Sequence, residues 1–413
     1  MTRSFAPRVT IVGASLAGLR TSEALVAAFP DARVTVVGDE PHAPYNRPPL
    51  SKEAAEALSA GEAPDQVFDR IRLRSRLNPD HVTVRLGVAA RAWEGPGALR
   101  LEDGALLRSD WVVAATGLRP RRLSLPGAED RRHVLRGFDD ARRLAAALRP
   151  GASIVVIGAG FIGCEVASTA RKRGARVTLV DPAPQPMGRA LGARVAAALA
   201  AWHRSHGATL LMGRSVAAFE PGRVILDDGQ ALEADAVVEA LGSVANTEWL
   251  EGCGADLSDG VLVDNRMIAT GAEGLLAVGD VARFVNPLLD GTPRRIEHWC
   301  IPGQTAKRAA ETIVALSAGR EPDPLFAPPP SFWSDQYGLR IQAFGAPALG
   351  ETQTVIEGDL ARIGDGPVTV EYARGGKLIG LIGIGANPAA LARHRARLFS
   401  ALSPNLSARG PHE

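Results

Sequence analysis

Two stretches of the chain repeat one hydrophobic grammar. Each opens on a Val/Ile run, turns through glycines, continues with apolar residues at helical spacing, and closes with a second Val-rich run ending in an acid. The first, RVTIVGASLAGLRTSEALVAAFPDARVTVVGDE, runs from Arg8 to Glu40, and the second, ASIVVIGAGFIGCEVASTARKRGARVTLVD, from Ala152 to Asp181. Each has the length of roughly 30 residues that one strand-helix-strand unit requires. Their first glycines, Gly13 and Gly158, lie far enough apart for separate domains, so the pattern predicts that two nucleotides are held at once.

The likeness extends past the turns. LRLEDGALLRSDWVVAATG, ending at Gly117, and VILDDGQALEADAVVEALG, ending at Gly242, each carry an Asp-Gly hairpin signal, an apolar strand and a glycine. GREPDPLFAPPPS, from Gly319 to Ser331, reads as a Pro-rich linker. Beyond it come the strand-like GPVTVEYARGG and KLIGLIGIG and a helix rich in Ala and Arg. The predicted fold is α/β, with two Rossmann-like dinucleotide-binding domains and a C-terminal α+β domain. The expected boundaries are 1–119 with 244–320 for one nucleotide domain, 120–243 for the second, and 321–413 for the last.

Length agrees, since 413 residues exceed what one hydrophobic core supports. No run approaches the roughly 18 to 20 apolar residues of a membrane span, and the N-terminus enters a strand pattern with no signal-peptide h-region, so a cytoplasmic protein is expected. A net charge of +2 gives no pull towards nucleic acid or an anionic membrane. Cys164, Cys253 and Cys300 are odd in number and far apart, which excludes a disulfide framework and a Cys-x-x-Cys pair. His203 and His206 follow a helical pattern without an acid or cysteine cluster, so they read as a surface helix and no metal site is expected.

The first turn, Gly13-Ala14-Ser15-Leu16-Ala17-Gly18, departs from G-x-G-x-x-G only at Ser15, a small side chain that leaves room for backbone near a pyrophosphate and whose hydroxyl can donate to a phosphate. The second, Gly158-Ala159-Gly160-Phe161-Ile162-Gly163, matches fully. Each opens a helix whose free N–H groups and positive dipole end suit an anion. Asp181 can accept from ribose hydroxyls and repel a 2′-phosphate, favouring NADH over NADPH; the other reading is a turn acid before Pro182, with Arg176 or Arg189 able to reach a phosphate. Gly279-Asp280, after the strand LLAV, places a carboxylate where it can accept from the ribityl hydroxyls of a flavin, and it completes a set with Ala115-Thr116-Gly117 and Leu241-Gly242.

The chain resembles the oxygenase-coupled NADH-dependent ferredoxin reductases, a branch of the glutathione-reductase-like flavoproteins. The resemblance runs over nearly the whole length: IVGASLAG, GDEPHAPYNRPPLSK (Gly38 to Lys52), AATGLRPR (Ala114 to Arg121), VIGAGFIGCEVA, AVGDVARF, RIEHW (Arg295 to Trp299) and FWSDQY (Phe332 to Tyr337). PPLSK and FWSDQY are its specific signatures. It implies FAD contacts at Ala17, Asp39, Lys52, Arg136, Asp280 and Trp299, with Ala90 touching through its backbone. It implies NADH contacts along Gly158 to Glu165, at Asp181, and near Arg189 and Gly242. Two departures stand out: Ala245 replaces the usual proline of Gly-x-x-Pro-Asn, and Cys300-Ile301-Pro302 replaces a commoner alanine-containing stretch.

The chemistry that follows is hydride transfer from NADH to FAD, with electrons leaving singly to a ferredoxin, expected to be of the [2Fe-2S] type, that supplies a terminal oxygenase. Rubredoxin or oxygen as acceptor, and a flavin-binding regulatory protein without turnover, are the alternatives. The resemblance makes Lys52, beside the isoalloxazine and paired with Glu165, the catalytic pair. The residues alone also allow an exposed lysine starting a helix and a first-turn helix acid. Phe332 and Trp333 read equally as core aromatics or as an apolar edge of the flavin site. The arginines of Arg70-Ile71-Arg72-Leu73-Arg74-Ser75-Arg76, with Arg308 as an addition, are a candidate patch for an acidic ferredoxin or else a solvated helix face.

Overall fold

The computed structural model describes residues 6–403. Strand β1 (Arg8–Val12) leads into helix α1 (Leu16–Ala28) and β2 (Arg33–Gly38), then β3 (Val82–Leu86) and β4 (Trp111–Ala114). The chain crosses outward through β5 (Leu118–Pro120) and β6 (Arg132–His133) into β7 (Ser153–Ile157), α2 (Phe161–Lys172), β8 (Arg176–Asp181), α3 (Gly188–Ser205), β9 (Thr209–Met212) and β10 (Ala236–Glu239). It returns through β11 (Ser243–Ala245) to β12 (Leu275–Ala277) and α4 (Cys300–Ser317). Last come β13 (Ser331–Gln336), β14 (Leu339–Gly345), β15 (Thr352–Glu357), β16 (Val368–Arg374), β17 (Lys377–Ile384) and α5 (Pro388–Leu402).

Both glycine-turn units belong to five-stranded parallel sheets, ordered β12-β4-β1-β2-β3 and β9-β8-β7-β10-β6. Their central strands are apolar because both faces are covered: all five residues of β7 are buried, as are Val9 to Val12 of β1. Two crossings join the sheets, and β5 pairs antiparallel with β11 to bind them into one ribbon. Ala245, in place of the usual proline, lies in that ribbon opposite Leu118. The C-terminal sheet, ordered β13-β14-β17-β16-β15, is antiparallel. Its apolar face, with Ile341 and Tyr372, joins one continuous cluster with Leu179, Val195 and Leu50. The Asp-Gly signals at Gly104 and Gly229 turn hairpins with φ of +85° and +83°. Among the described residues no helix is long and apolar enough to cross a membrane, and no His, Cys, Asp or Glu cluster could hold a metal.

One histidine differs from expectation. His203 is fully buried, not on a surface helix face: the Tyr337 ring stands edge-on to it at 5.0 Å and Gln336 Oε1 meets its Nε2 at 2.8 Å. Burial pushes its pKa from 6.5 down to about 4. The unfolded chain therefore binds more protons between these values, so this contribution to stability is present above pH 6.5 and is lost as pH falls towards 4. The full loss is about 3 kcal/mol at 1.36 kcal/mol per pKa unit. Chemical unfolding of the parent and of His203→Gln at pH 7 and pH 4 should show the parent losing more stability by on the order of that amount.

Candidate functional site

Packing fixes the two glycine turns before any ligand is considered. A methyl on Gly13 would strike the Ala115 carbonyl and one on Gly18 the Gly13 carbonyl; in the second turn Gly158 and Gly163 stand in the same relation to Ala240 and to the Gly158 carbonyl. Gly13 and Gly158 also hold φ of +119° and +101°. Gly160 is different: a Cβ there meets nothing within 4 Å, so its small size faces open space. The helices that follow start at Ser15 and Gly160 with no side-chain cap and no acid in the first turn, leaving their N–H groups free.

Both helix starts open on one cavity of about 1640 Å³, lined by Ser15, Ala17, Gly160 and Phe161 among others. It exceeds the roughly 300 to 1,000 Å³ of a typical small-molecule site. Of the residues singled out in the sequence, Gly13, Asp39, Lys52, Ala90, Ala115, Thr116, Gly117, Arg136, Glu165, Gly242, Asp280 and Trp299 also line it. Gly18, Gly158, Gly163 and Gly279 do not; they allow close packing behind the wall, and a Cβ on Gly279 would sit 2.9 Å from that of Ala17. Arg189 is exposed at the start of α3 and is not part of the wall, although the adjacent Ala190 is. Asp181 also stays off the wall, where its two oxygens accept from Ala159 N and Ala183 N, each at 2.7 Å, and so brace the second turn.

Lys52 and Glu165 meet at the cavity wall, Nζ to Oε2 at 2.8 Å, with side chains 14% and 7% exposed. The PPLS turn, Pro48–Ser51, brings them together: Pro48 O lies 3.2 Å from Lys52 Nζ, and Ser51 Oγ donates to Glu165 Oε2 at 2.5 Å. Ser334 Oγ, from β13, donates to Glu165 Oε1 at 2.6 Å. Lys52 is therefore not the exposed lysine, and Glu165, which lies beyond the first turn of α2, is not the first-turn acid, of the alternative readings. Arg136 and Asp280 pair at 3.3 Å on the same wall. Trp299 is 45% exposed, donates to Asn46 Oδ1 at 2.9 Å and stands edge-on to Trp333 at 5.7 Å. Phe332 packs on Phe161 at 4.9 Å, so this aromatic pair borders the cavity instead of filling a remote core. The loop carrying Ala245 is held by Asn246, whose Nδ2 donates to Thr116 O at 3.0 Å while Thr116 Oγ1 donates to Asn246 O at 2.6 Å.

Among the described residues no cysteine lines the cavity. Cys300 is half-buried with Sγ 3.4 Å from Ser331 O, and Cys164 is buried, where desolvation and the nearby Glu165 and Asp181 carboxylates raise its thiol pKa and keep it inert.

A profile of the family described as pyridine nucleotide-disulphide oxidoreductase matches residues 7–306, and one described as reductase C-terminal matches residues 331–405. The chain belongs to the pyridine nucleotide-disulphide oxidoreductase family. This oxidoreductase is 36% identical over 366 residues to the anthranilate 1,2-dioxygenase system ferredoxin--NAD(+) reductase component of Burkholderia cepacia, covering 87% of this chain and 86% of that one. It is 32% identical to the putidaredoxin reductase of Pseudomonas putida, covering 86% and 83%. Its fold superposes on the reductase of a covalent putidaredoxin reductase–putidaredoxin complex with a TM-score of 0.86, at 28% identity over 99% of this chain and 100% of that one.

FAD and a nicotinamide dinucleotide are the cofactors of the oxidoreductase, and the residues fit them. Two uncapped helix starts facing one large cavity are what two pyrophosphates require, and Gly160 leaves room for backbone approach. Gly160→Ala is expected to keep the flavin absorbance of the purified protein while raising the Kd for NADH about tenfold, whereas Gly13→Ala, which collides with Ala115, is expected to be recovered without FAD. Absorbance spectra and NADH titrations of the two variants check this.

Two further carboxylates on the cavity wall carry no motif of their own in the sequence. Glu239, buried at the end of β10, accepts from Arg132 Nη2 and Leu123 N, both at 2.9 Å. Glu40 pairs with Arg47 and accepts from Tyr45 Oη; burial opposes its ionisation, but Arg47 and Tyr45 prevail and hold its pKa below the usual range. Arg47, inside YNRPPLSK, was the available signal for that network.

Proposed function

We propose that the protein is an NADH:ferredoxin reductase that delivers electrons singly through FAD to a [2Fe-2S]-type ferredoxin supplying a terminal oxygenase. The carrying observation is a two-nucleotide cavity with a Lys52–Glu165 pair and no cysteine on its wall. A disulfide acceptor needs a thiol there, so electrons must leave to a separate protein or to oxygen. The names of the relatives favour the ferredoxin. FAD, when bound, takes hydride from NADH and can release its two electrons one at a time.

In this reading residues 1–119 and 244–320 form the FAD domain, 120–243 the NADH domain and 321–413 the C-terminal domain, and the protein works in the cytoplasm. The α1 start, Asp39, Arg136 and Asp280 hold FAD. The α2 start and Asp181 hold NADH, with Arg189 and Gly242 at its margins. Lys52, fixed by Glu165, supplies a cation at the reacting end, and Trp299 with Phe332 and Trp333 excludes water. Steady-state turnover with NADH and a [2Fe-2S] ferredoxin tests the reading; reduction of rubredoxin or oxygen alone, or no turnover, would reassign it.

The docking patch narrows. Arg308 is buried, bonded to Asn265 O and Asp323 O, and Arg70 pairs with Glu62, so neither is free for a partner. Arg72 and Arg74 lie beyond the end of the helix Pro64–Ile71, exposed and without an ion pair among the described residues. Arg72→Glu/Arg74→Glu is expected to lower the rate of ferredoxin reduction about tenfold at low salt and to flatten its salt dependence, with flavin reduction by NADH unchanged. Measuring both rates against ionic strength checks it; a parent rate insensitive to salt removes this surface from the account.

A further inference from the structure

Behind the Lys52–Glu165 pair runs an unbroken chain of buried polar side chains. Ser334 Oγ donates to Glu165 Oε1 at 2.6 Å, Gln336 Nε2 donates to Ser334 Oγ at 3.0 Å, and Gln336 Oε1 meets His203 Nε2 at 2.8 Å. Ser334, Gln336 and His203 are each fully buried. They tie β13 to α2 and α3 across 169 and 133 positions of sequence, where apolar residues would have packed without the cost of burying polar atoms.

The chain has one direction. An ionised Glu165 only accepts, so the single proton of Ser334 goes to it and the serine lone pairs are left for Gln336. Gln336 must then present its amide nitrogen to Ser334, in agreement with Met187 Sδ lying 3.3 Å from the same nitrogen. Its oxygen faces His203, which must carry its proton on Nε2. Nδ1 of His203, buried and without a partner among the described residues, is the bare lone pair that this tautomer requires. At the other end both carboxylate oxygens are fixed, Oε1 by Ser334 and Oε2 by Ser51 and Lys52.

We propose that Ser334, Gln336 and His203 are positioning residues for hydride transfer, holding the Glu165 carboxylate in the one orientation that keeps Lys52 at the cavity wall. The inference rests on the reading that Lys52 works beside bound FAD. Two members of the FWSDQY signature thereby gain a role in the reaction, although neither lines the cavity. The competing role is interdomain glue, under which removing a link costs stability and leaves the reaction alone.

The test is a double-variant cycle on the FAD-loaded protein, reading the limiting rate of flavin reduction and the Kd for NADH by stopped flow. Ser334→Ala should lower the limiting rate about tenfold, leave Kd within about twofold, and be rescued by Ser334→Thr, which keeps the hydroxyl. In a Lys52→Met background Ser334→Ala should change the rate less than about twofold, because the residue it acts through is gone. Nitrogen-15 spectra of the same proteins should show His203 as a single Nε2–H tautomer in the parent and as a mixture in Ser334→Ala, where Gln336 is free to turn. If Ser334→Ala does not retain FAD, Gln336→Met cuts the chain one link further on and takes its place in the cycle. An unchanged rate, an equal loss in the Lys52→Met background, or an unaltered His203 tautomer would overturn the proposal. A parent that NADH does not reduce would instead overturn the proposed function, so the two failures are distinct.

Discussion

Replacing Lys52 with alanine is expected to slow reduction of bound FAD by NADH about a hundredfold, the loss typical when one preorganised charge is removed from a dry site. FAD should stay bound, because Lys52 is one wall residue among many: the α1 start, Asp39 and the Arg136–Asp280 pair occupy other parts of the wall. The size of the effect follows from how firmly the lysine is held. Its ammonium lies 2.8 Å from Glu165, with both side chains largely shielded, so its field is weakly screened and its position costs no reorganisation at the moment of reaction. Losing one partner of a buried pair ordinarily destabilises by about 3 to 5 kcal/mol. Here Ser51 and Ser334 continue to donate to Glu165, so the folded state should survive at a smaller cost. Stopped-flow reduction of the purified, FAD-loaded variant gives the rate, and an unchanged rate would reduce Lys52 to a structural lysine.

The second large effect concerns the choice of nicotinamide cofactor. NADH is expected to exceed NADPH in kcat/KM by about tenfold to several hundredfold, since a carboxylate about 4 Å from a 2′-phosphate repels it by roughly 1 to 4 kcal/mol. Asp181→Ala should bring the two within about tenfold of one another. The bonds from Ala159 N and Ala183 N mean that the same substitution also loosens the second glycine turn, so the gap should close from both sides, with NADH losing as NADPH gains. A carboxylate has about four lone-pair sites, which leaves capacity for ribose hydroxyls beside those two backbone donors. Asp181→Asn, which keeps one acceptor, should fall between. Specificity constants for both cofactors decide the matter, and a parent that uses them equally would refute it.

The glycine turns were legible because their spacing is local and occurs twice, Gly13 to Gly18 and Gly158 to Gly163, although the carbonyls that forbid a side chain at Gly13 and Gly158, those of Ala115 and Ala240, lie far along the chain. Both Asp-Gly hairpins are equally local. His203 was not legible, because the residue that buries and bonds it, Gln336, lies 133 positions away on another sheet. Arg308 looked like one more basic side chain, yet its guanidinium serves two backbone carbonyls, Asn265 O and Asp323 O, that only the folded chain brings to it. The Lys52–Glu165 pair came from the resemblance alone. The fold adds a physical reason for it, since the PPLS turn and α2 meet where Thr169 Oγ1 also donates to Ser51 O at 2.8 Å.

The most direct measurement mixes the NADH-reduced, FAD-loaded protein with an oxidised [2Fe-2S] ferredoxin in the absence of oxygen and follows the iron–sulfur absorbance. The account predicts bleaching of the cluster at a rate that falls with ionic strength, each NADH reducing two ferredoxins. A flavin that NADH reduces but that leaves every ferredoxin oxidised, and returns its electrons only to oxygen, would contradict it.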